Sequence, residues 1–363
     1  MDLALPSASA LATMGAVVSI DPQNNVCAAA EENFKVKLAS FNAAGRDRLG
    51  VALDDGVLID VVEAALAAKV QPAGLPMLAD MMTLIEAGEA GLQLVRRAVE
   101  HARAQPQSVP RYAIETVRWH APVRRPSKIV CLALNNSANA DRIIKGPKHP
   151  ASFIKGANAL VGHGEPIVVK PIFGRCHPEP ELALVIGKHT KEVRAEDAYA
   201  HVFGYTIHND ITSPTMRDED TFHYRAIHPG KDDPTQIEYV ETWVTYPGRY
   251  KNSDTFSPMG PWLVTRDAIP DPHALTISCL HKDELVTQDS TANLFYKVPE
   301  VLAFLSRYMT LLPGDILSMG TAIKRSGPGT RAVQNVELDK LGGPISVSIE
   351  GIGTLTNPVE SRR

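Results

Sequence analysis

Cysteine is scarce: the 363 residues include four, at positions 27, 131, 176 and 279, far apart and with no C-x-x-C pair. That spacing argues against a disulfide framework and offers no Cys/His arrangement for zinc, so reduced thiols in a cytoplasmic protein are expected. A basic excess is missing too. Lys and Arg number 37 against 41 Asp and Glu, for a net charge of −4 and a pI of about 6.3, which leaves no field to hold nucleic acid or an anionic membrane. Residues 4–20, ALPSASALATMGAVVSI, are fairly apolar but follow an Asp and contain neither Lys nor Arg. They read as a loose N-terminal arm rather than an export signal. No other window approaches the roughly 20 apolar residues of a membrane span. The sequence contains no internal repeat and no low-complexity tract.

The chain is long for one compact core, and its pattern suggests an arm (1–33), a small N-terminal α/β domain (34–120) and a larger domain (121–363). From Phe34 onward, KVKLASFNAAGRDRLGVALDDGVLIDV alternates apolar and polar residues and breaks at AAGRD and DDG, as a three-stranded meander does. A helix follows, with Leu92, Leu94, Val95 and Val99 at helical spacing. Residues 104–126 are rich in Pro and Arg and read as a connector. SKIVCLALNN then reads as a buried strand, and 137–150 as a mobile segment over a site. Further on, residues 211–249 read as polar and irregular, HALTISCLHKDELVTQDS as a hairpin and VPEVLAFLSRYMTL as an amphipathic helix.

The chemistry concentrates in CHPEPELALVIGKHTKEVRAEDAYAHVFGYTIHND, residues 176–210. Side chains alternate faces along a strand, so Glu179 and Glu181 point the same way, and Asp210 closes a later apolar run. Buried carboxylates this close repel one another and are costly to desolvate unless something positive lies between them. A divalent cation meets that need. The set is all oxygen, which suits Mg²⁺ or Mn²⁺, with Ca²⁺ as a further option.

From about Lys35 to Glu360 the chain resembles the fumarylacetoacetate hydrolase family. The likeness rests on seven ordered blocks: APVRRPSKIVCLALNN, FIKGANALVGHGEPIVV, HPEPELALVIGK, VFGYTIHND, KNSDTFSPMGPWLVT, FLSRYMTLLPGDILSMGT and IEGIGTLTNPV. The resemblance implies an α+β fold, with a catalytic domain built on a rolled mixed β-sheet core. It also implies a divalent cation on Glu179, Glu181 and Asp210, a homodimer, and a small 2-oxo acid as substrate. Lys251 matches a lysine that points at the substrate oxygens, and Thr321 a residue that binds the substrate carboxylate. The implied reaction is hydrolysis of a C–C bond in a 2,4-dioxo acid, such as an acylpyruvate or an aromatic ring-fission product.

Two departures qualify that expectation. Relatives that hydrolyse acylpyruvates carry a His and, three residues on, a Glu that activate water; the corresponding positions here are Asn139 and Arg142, and Asn136 stands where they have a Tyr. An amide does not titrate and a guanidinium stays protonated, so neither is a general base. This favours the alternative of an isomerase, decarboxylase or hydratase-lyase acting through an enolate. In the second departure, Pro214 stands where relatives have a basic residue, and Arg217 follows three residues later in a long insertion, MRDEDTFHYRAIHPGKDDPTQIEYVETWVTYPGRY. Arg217, His223, Tyr224 and, outside the insertion, Asn135 are candidate substrate-binding residues. Arg225 and His228 add to the group, and His223 or His149 is a candidate replacement base.

Overall fold

The computed structural model describes residues 36–54, 56–70, 76–324 and 332–362. The expected N-terminal arm, Cys27 and Asp55 of the D-D-G turn lie outside these residues. The fold is α+β as expected, and strands outnumber helices among the described residues. The meander is present as Lys37–Ala43, Arg46–Asp54 and Val57–Asp60. The helix Met81–Ala104 starts at Asp80, which forms a reciprocal capping box with Thr83, and it is broken at Gly88 by a non-helical backbone.

Among the described residues, an eleven-stranded sheet organises the fold. The meander joins it through Lys37–Ala43, which pairs antiparallel with Leu263–Thr265 (Leu38 opposite Leu263). The sheet then runs through Val202–Asn209, Pro180–Ile186, Ile316–Ser318 and Ile129–Ala133 to an edge at Ala151–Lys155. Pro180–Ile186 and Val202–Asn209 are central and buried at every position, which explains their nearly unbroken apolar runs. Leu182, Leu184 and Ile186 on one face share a core with Val301, Leu302 and Leu305 of the helix Val298–Tyr308. Ile277, Val347 and Leu355 join the same core from a second, four-stranded antiparallel sheet. Glu181 is on the alternate positions, so the sheet itself separates packing from chemistry.

The stretch 211–249 differs from its reading as irregular. It begins with the helix Pro214–Glu219, continues as a hairpin of two nine-residue strands, Thr221–Pro229 and Ile237–Thr245, and leads into the helix Arg249–Asn252. Aromatic and β-branched residues alternate with polar ones in FHYRAIH and IEYVETWVT, and that period of two outweighs the overall polarity of the segment.

Candidate metal centre and substrate cleft

Register brings the acidic residues together. Glu181 pairs with His208 across the central strands, and one step beyond the ladder the Asp210 N–H donates to the Glu179 carbonyl (2.9 Å). Oxygen atoms of Glu179, Glu181 and Asp210 all lie within 4.8 Å of one another. Glu181 and Asp210 are buried and Glu179 is partly so.

Two lysines face these carboxylates. Lys155, at the end of the edge strand and fully buried, donates from Nζ to Asp210 Oδ1 (2.5 Å) and to the Phe256 carbonyl (2.7 Å). Lys251 Nζ donates to Glu179 Oε2 (2.7 Å) and Asp210 Oδ2 (2.6 Å) and lies 4.9 Å from the centre of the Phe153 ring. Burial opposes the charge on Asp210, yet the two ammoniums outweigh it and hold this carboxyl well below its usual range. Burial likewise disfavours charged Lys251, and Asp210 and Glu179 reverse that, raising its pKa.

Glu181 is in the opposite position. Burial, then the negative charges of Asp210 and Glu179, push its carboxyl well above the usual range, and no lysine contacts it among the described residues. It accepts hydrogen bonds from Ser318 Oγ (2.5 Å), the Gly320 N–H (3.2 Å) and Thr321 Oγ1 (3.0 Å). Gly320 has φ +99°, and a Cβ there would lie 2.9 Å from Asn135 Cβ, so the backbone donor depends on glycine. Because Ser318 donates to Glu181, its oxygen must accept from His208 Nδ1 (2.7 Å). His208 Nε2 then accepts from Ser257 Oγ (2.7 Å). This is a neutral imidazole, and burial lowers the His208 pKa to about 3.

The three carboxyl groups outnumber the two lysines, and buried Glu181 is the one with no lysine in contact. An all-oxygen set this compact, two of its three members buried and one of those without a cationic partner, fits a hard divalent cation.

Above this floor lies a cleft of about 610 Å³, lined by Lys251, Thr321 and Arg217 together with His177, Arg142 and Arg175. No carboxylate lies within ion-pairing distance of these three guanidiniums among the described residues. Asn139 also lines the cleft and accepts from Arg142 (3.2 Å). His177 is buried, and desolvation first of all lowers its pKa.

Other candidates lie elsewhere. Asn135 is a buried strut, donating to the Tyr296 and Met319 carbonyls and accepting from the Tyr296 N–H. His223 and Tyr224 are off the cleft, on the exposed hairpin, where His223 stacks on Trp243 with ring centres 4.0 Å apart; Arg225 and His228 share that strand. His149 stacks on Phe304. Within this chain, His223, Tyr224 and Asn135 are not among the residues that line the cleft. Lys155, His177, Arg175 and His208 were missed by the sequence reading. For His177 the signal was present, since H-P-E-P-E puts it on the same strand face as both glutamates.

Residues 128–360 match the model of the fumarylacetoacetate hydrolase C-terminal domain. The chain belongs to the fumarylacetoacetate hydrolase family. This family member is 32% identical to the mitochondrial oxaloacetate tautomerase Fahd2a of Rattus norvegicus over 325 residues, covering 89% of this chain and 91% of that one. It is 33% identical to the oxaloacetate tautomerase YisK of Bacillus subtilis over 255 residues, covering 68% and 75%. Among solved structures it resembles a maleylpyruvate hydrolase from Sphingobium sp. SYK-6 in complex with manganese(II) and pyruvate. That match has a TM-score of 0.63 and 28% identity, covering 90% of this chain and all of the other. The family and its fold are thus as the sequence implied, and the chain is an enzyme of this superfamily. No helix among the described residues is long and apolar enough to cross a membrane.

Proposed function

We propose that this family member catalyses keto–enol proton transfer at C3 of a 2-oxo dicarboxylic acid such as oxaloacetate, with Mg²⁺ or Mn²⁺ held by Glu179, Glu181 and Asp210. The carrying observation is the composition of the cleft: an acidic floor with Lys251 beside it, three arginines without carboxylate partners, and an amide and a guanidinium at positions 139 and 142. The relatives named oxaloacetate tautomerases support the reading.

When bound, the cation would supply charge stabilisation for the enolate through the 2-oxo and carboxylate oxygens. Lys251 places a permanent positive charge beside the same oxygens. Thr321, whose hydroxyl here donates to Glu181 (3.0 Å), orients the C1 carboxylate once that hydroxyl turns toward the cleft it lines. Arg142, Arg175 and Arg217 receive the distal carboxylate, for which guanidinium forks are suited. The His177 imidazole exchanges the C3 proton. One of its nitrogens, Nδ1, faces the Pro178 carbonyl (3.2 Å), which directs Nε2 to the other role.

A second reading, hydrolysis of a C–C bond in a 2,4-dioxo acid, draws on the likeness to the maleylpyruvate hydrolase structure. Products separate the two. The purified protein with Mn²⁺ is mixed with enol-oxaloacetate or with maleylpyruvate, and the products are followed by NMR and mass spectrometry. Faster interconversion without a change of mass, abolished by chelator, supports tautomerisation, and two acid products from maleylpyruvate support hydrolysis. Interconversion at the background rate defeats the first reading.

A further inference from the structure

The buried strand Ile129–Ala133 runs into two asparagines for which the proposed reaction has no use. Asn135 and Asn136 are both buried, and Leu134 just before them is held at φ +55°. A left-handed backbone at a residue this bulky is costly, and it persists only where the surroundings over-determine it, as they do at ligand clamps. Asn135 is the strut already described, and Asn136 reaches further. Its Oδ1 accepts from the Ala138 N–H (2.9 Å) and so caps the short 3₁₀ helix Ser137–Arg142, from which Asn139 and Arg142 line the cleft. Its Nδ2 donates to the Thr321 carbonyl (3.2 Å) and to Asp289 Oδ2 (2.9 Å).

Asp289 is on the strand Glu284–Ser290 of the four-stranded sheet and is only 3% exposed. Besides Asn136, its Oδ2 accepts from the Lys324 N–H (2.8 Å), and its Oδ1 from Asn293 Nδ2 (2.7 Å) and the Ser290 N–H (2.7 Å). The four N–H groups that donate to it are all uncharged. One buried carboxylate thus ties the helix that carries Arg142 to residues 321–324, of which Thr321 and Ile323 line the cleft.

We propose that Asn136 and Asp289 are positioning residues that fix the separation between Thr321 and Arg142, and so select substrates whose two carboxylates match it. The proposal rests on the reading above, in which Thr321 meets the C1 carboxylate and Arg142 the distal one. Neither positioning residue lines the cleft, so both act through the side chains they hold. A six-residue 3₁₀ helix does not hold its own shape in water, and without its cap Arg142 and Thr321 would move independently. A ligand gripped at both ends then loses the fixed span that binds it, whereas a ligand gripped only at the acidic floor does not. A carboxylate suits the task, because hydrogen bonds to it are stronger than those to a neutral acceptor, and burial leaves no water to replace a lost donor.

The test is titration calorimetry on the full-length chain loaded with Mn²⁺, using lactate and malate. These probes share a 2-hydroxy acid end and differ by the distal carboxylate. The variants are Asp289→Asn, Asn136→Ala and the swap that combines Asn136→Asp with Asp289→Asn. In Asp289→Asn the new amide nitrogen faces two N–H groups whichever way it turns. Malate binding should weaken at least about 10-fold in both single variants, the scale of one charge-assisted hydrogen bond, while lactate and Mn²⁺ bind as in the wild type. The swap restores one donor and one acceptor across the contact and should recover part of the malate affinity. Hydrogen exchange on the metal-free protein adds a second readout: amides 138–142 should lose protection in the single variants, and those of Val202–Asn209 should keep it. If Asp289→Asn does not fold, Asn136→Ala carries the comparison, since it keeps the carboxylate and three of its donors. Single variants that lose lactate and malate equally, or lose neither, overturn the proposal and leave the distal-carboxylate reading standing. A wild type that binds malate no more tightly than lactate defeats that reading, and the proposal with it.

Discussion

Lys155 and Asp210 form an ion pair over 2.5 Å with neither side chain open to water. Asp210 also receives Lys251 at 2.6 Å, so one carboxylate neutralises parts of two buried cations. Removing one partner of a buried pair leaves an uncompensated charge, typically at a cost of about 3–5 kcal/mol. Asp210→Asn should therefore lower the unfolding free energy of the metal-free protein by that amount and abolish turnover. Urea denaturation at neutral pH checks the first outcome. Lys155→Met should act differently: it weakens the metal-free protein, but it leaves the floor more anionic and should gain more stability from added Mn²⁺ than the wild type does.

His208 reaches Glu181 through the Ser318 hydroxyl, by contacts of 2.7 and 2.5 Å. Its Nδ1–H fills the Ser318 oxygen and commits the serine proton to Glu181. His208→Ala should free that hydroxyl and weaken Mn²⁺ binding about 10- to 100-fold, as loss of such outer partners commonly does. Titration calorimetry measures this directly. His208→Asn, with a donor placed near the Nδ1 position, should recover part of the affinity, and equal losses in the two variants would show that packing alone is at stake.

How far the site was legible follows from what each residue's signal depended on. Glu179 and Glu181 were readable because a strand's period of two is local, and Asp210 because it ends a buried run. Lys155 was not readable: it closes an ordinary five-residue strand, and its partner is 55 positions away, so only the register of the sheet reveals that it is buried. His208 was hidden for the same reason, since its two serines come from residues 257 and 318. The insertion carries two signals: its His, Tyr and Arg residues suggest pocket lining, and Arg217 does line the cleft, while the alternation of its apolar residues encodes the hairpin Thr221–Pro229/Ile237–Thr245.

Arg217 lines the cleft from the helix Pro214–Glu219 with no carboxylate partner among the described residues. If it helps receive a distal carboxylate, Arg217→Ala should raise KM for a 2-oxo dicarboxylic acid about 10-fold, the scale of one charge-assisted hydrogen bond shared with neighbouring arginines. Binding of a 2-oxo monocarboxylic acid should change little. Steady-state kinetics on the first and competition by the second supply the comparison, and an equal loss for both would place Arg217 away from the distal group.

The acid limb of stability should depend on His163, which is not among the residues lining the cleft. Its Nδ1 accepts from the Thr356 N–H (3.1 Å), and its ring meets Trp119 edge-on with centres 5.8 Å apart. Burial lowers its pKa from the ordinary 6.5. In the unfolded chain the imidazole takes up a proton near pH 6.5, whereas in the folded chain it resists until lower pH, where protonation also breaks the bond from Thr356. The stabilising contribution is thus present above pH 6.5 and lost as pH falls through the lower, folded value. His163→Gln keeps an acceptor for Thr356 but cannot titrate. The wild-type and variant unfolding free energies should run parallel above pH 7 and converge below pH 6.5, because only the wild type loses this contribution. Parallel curves across the whole range would mean that His163 takes up its proton equally in both states.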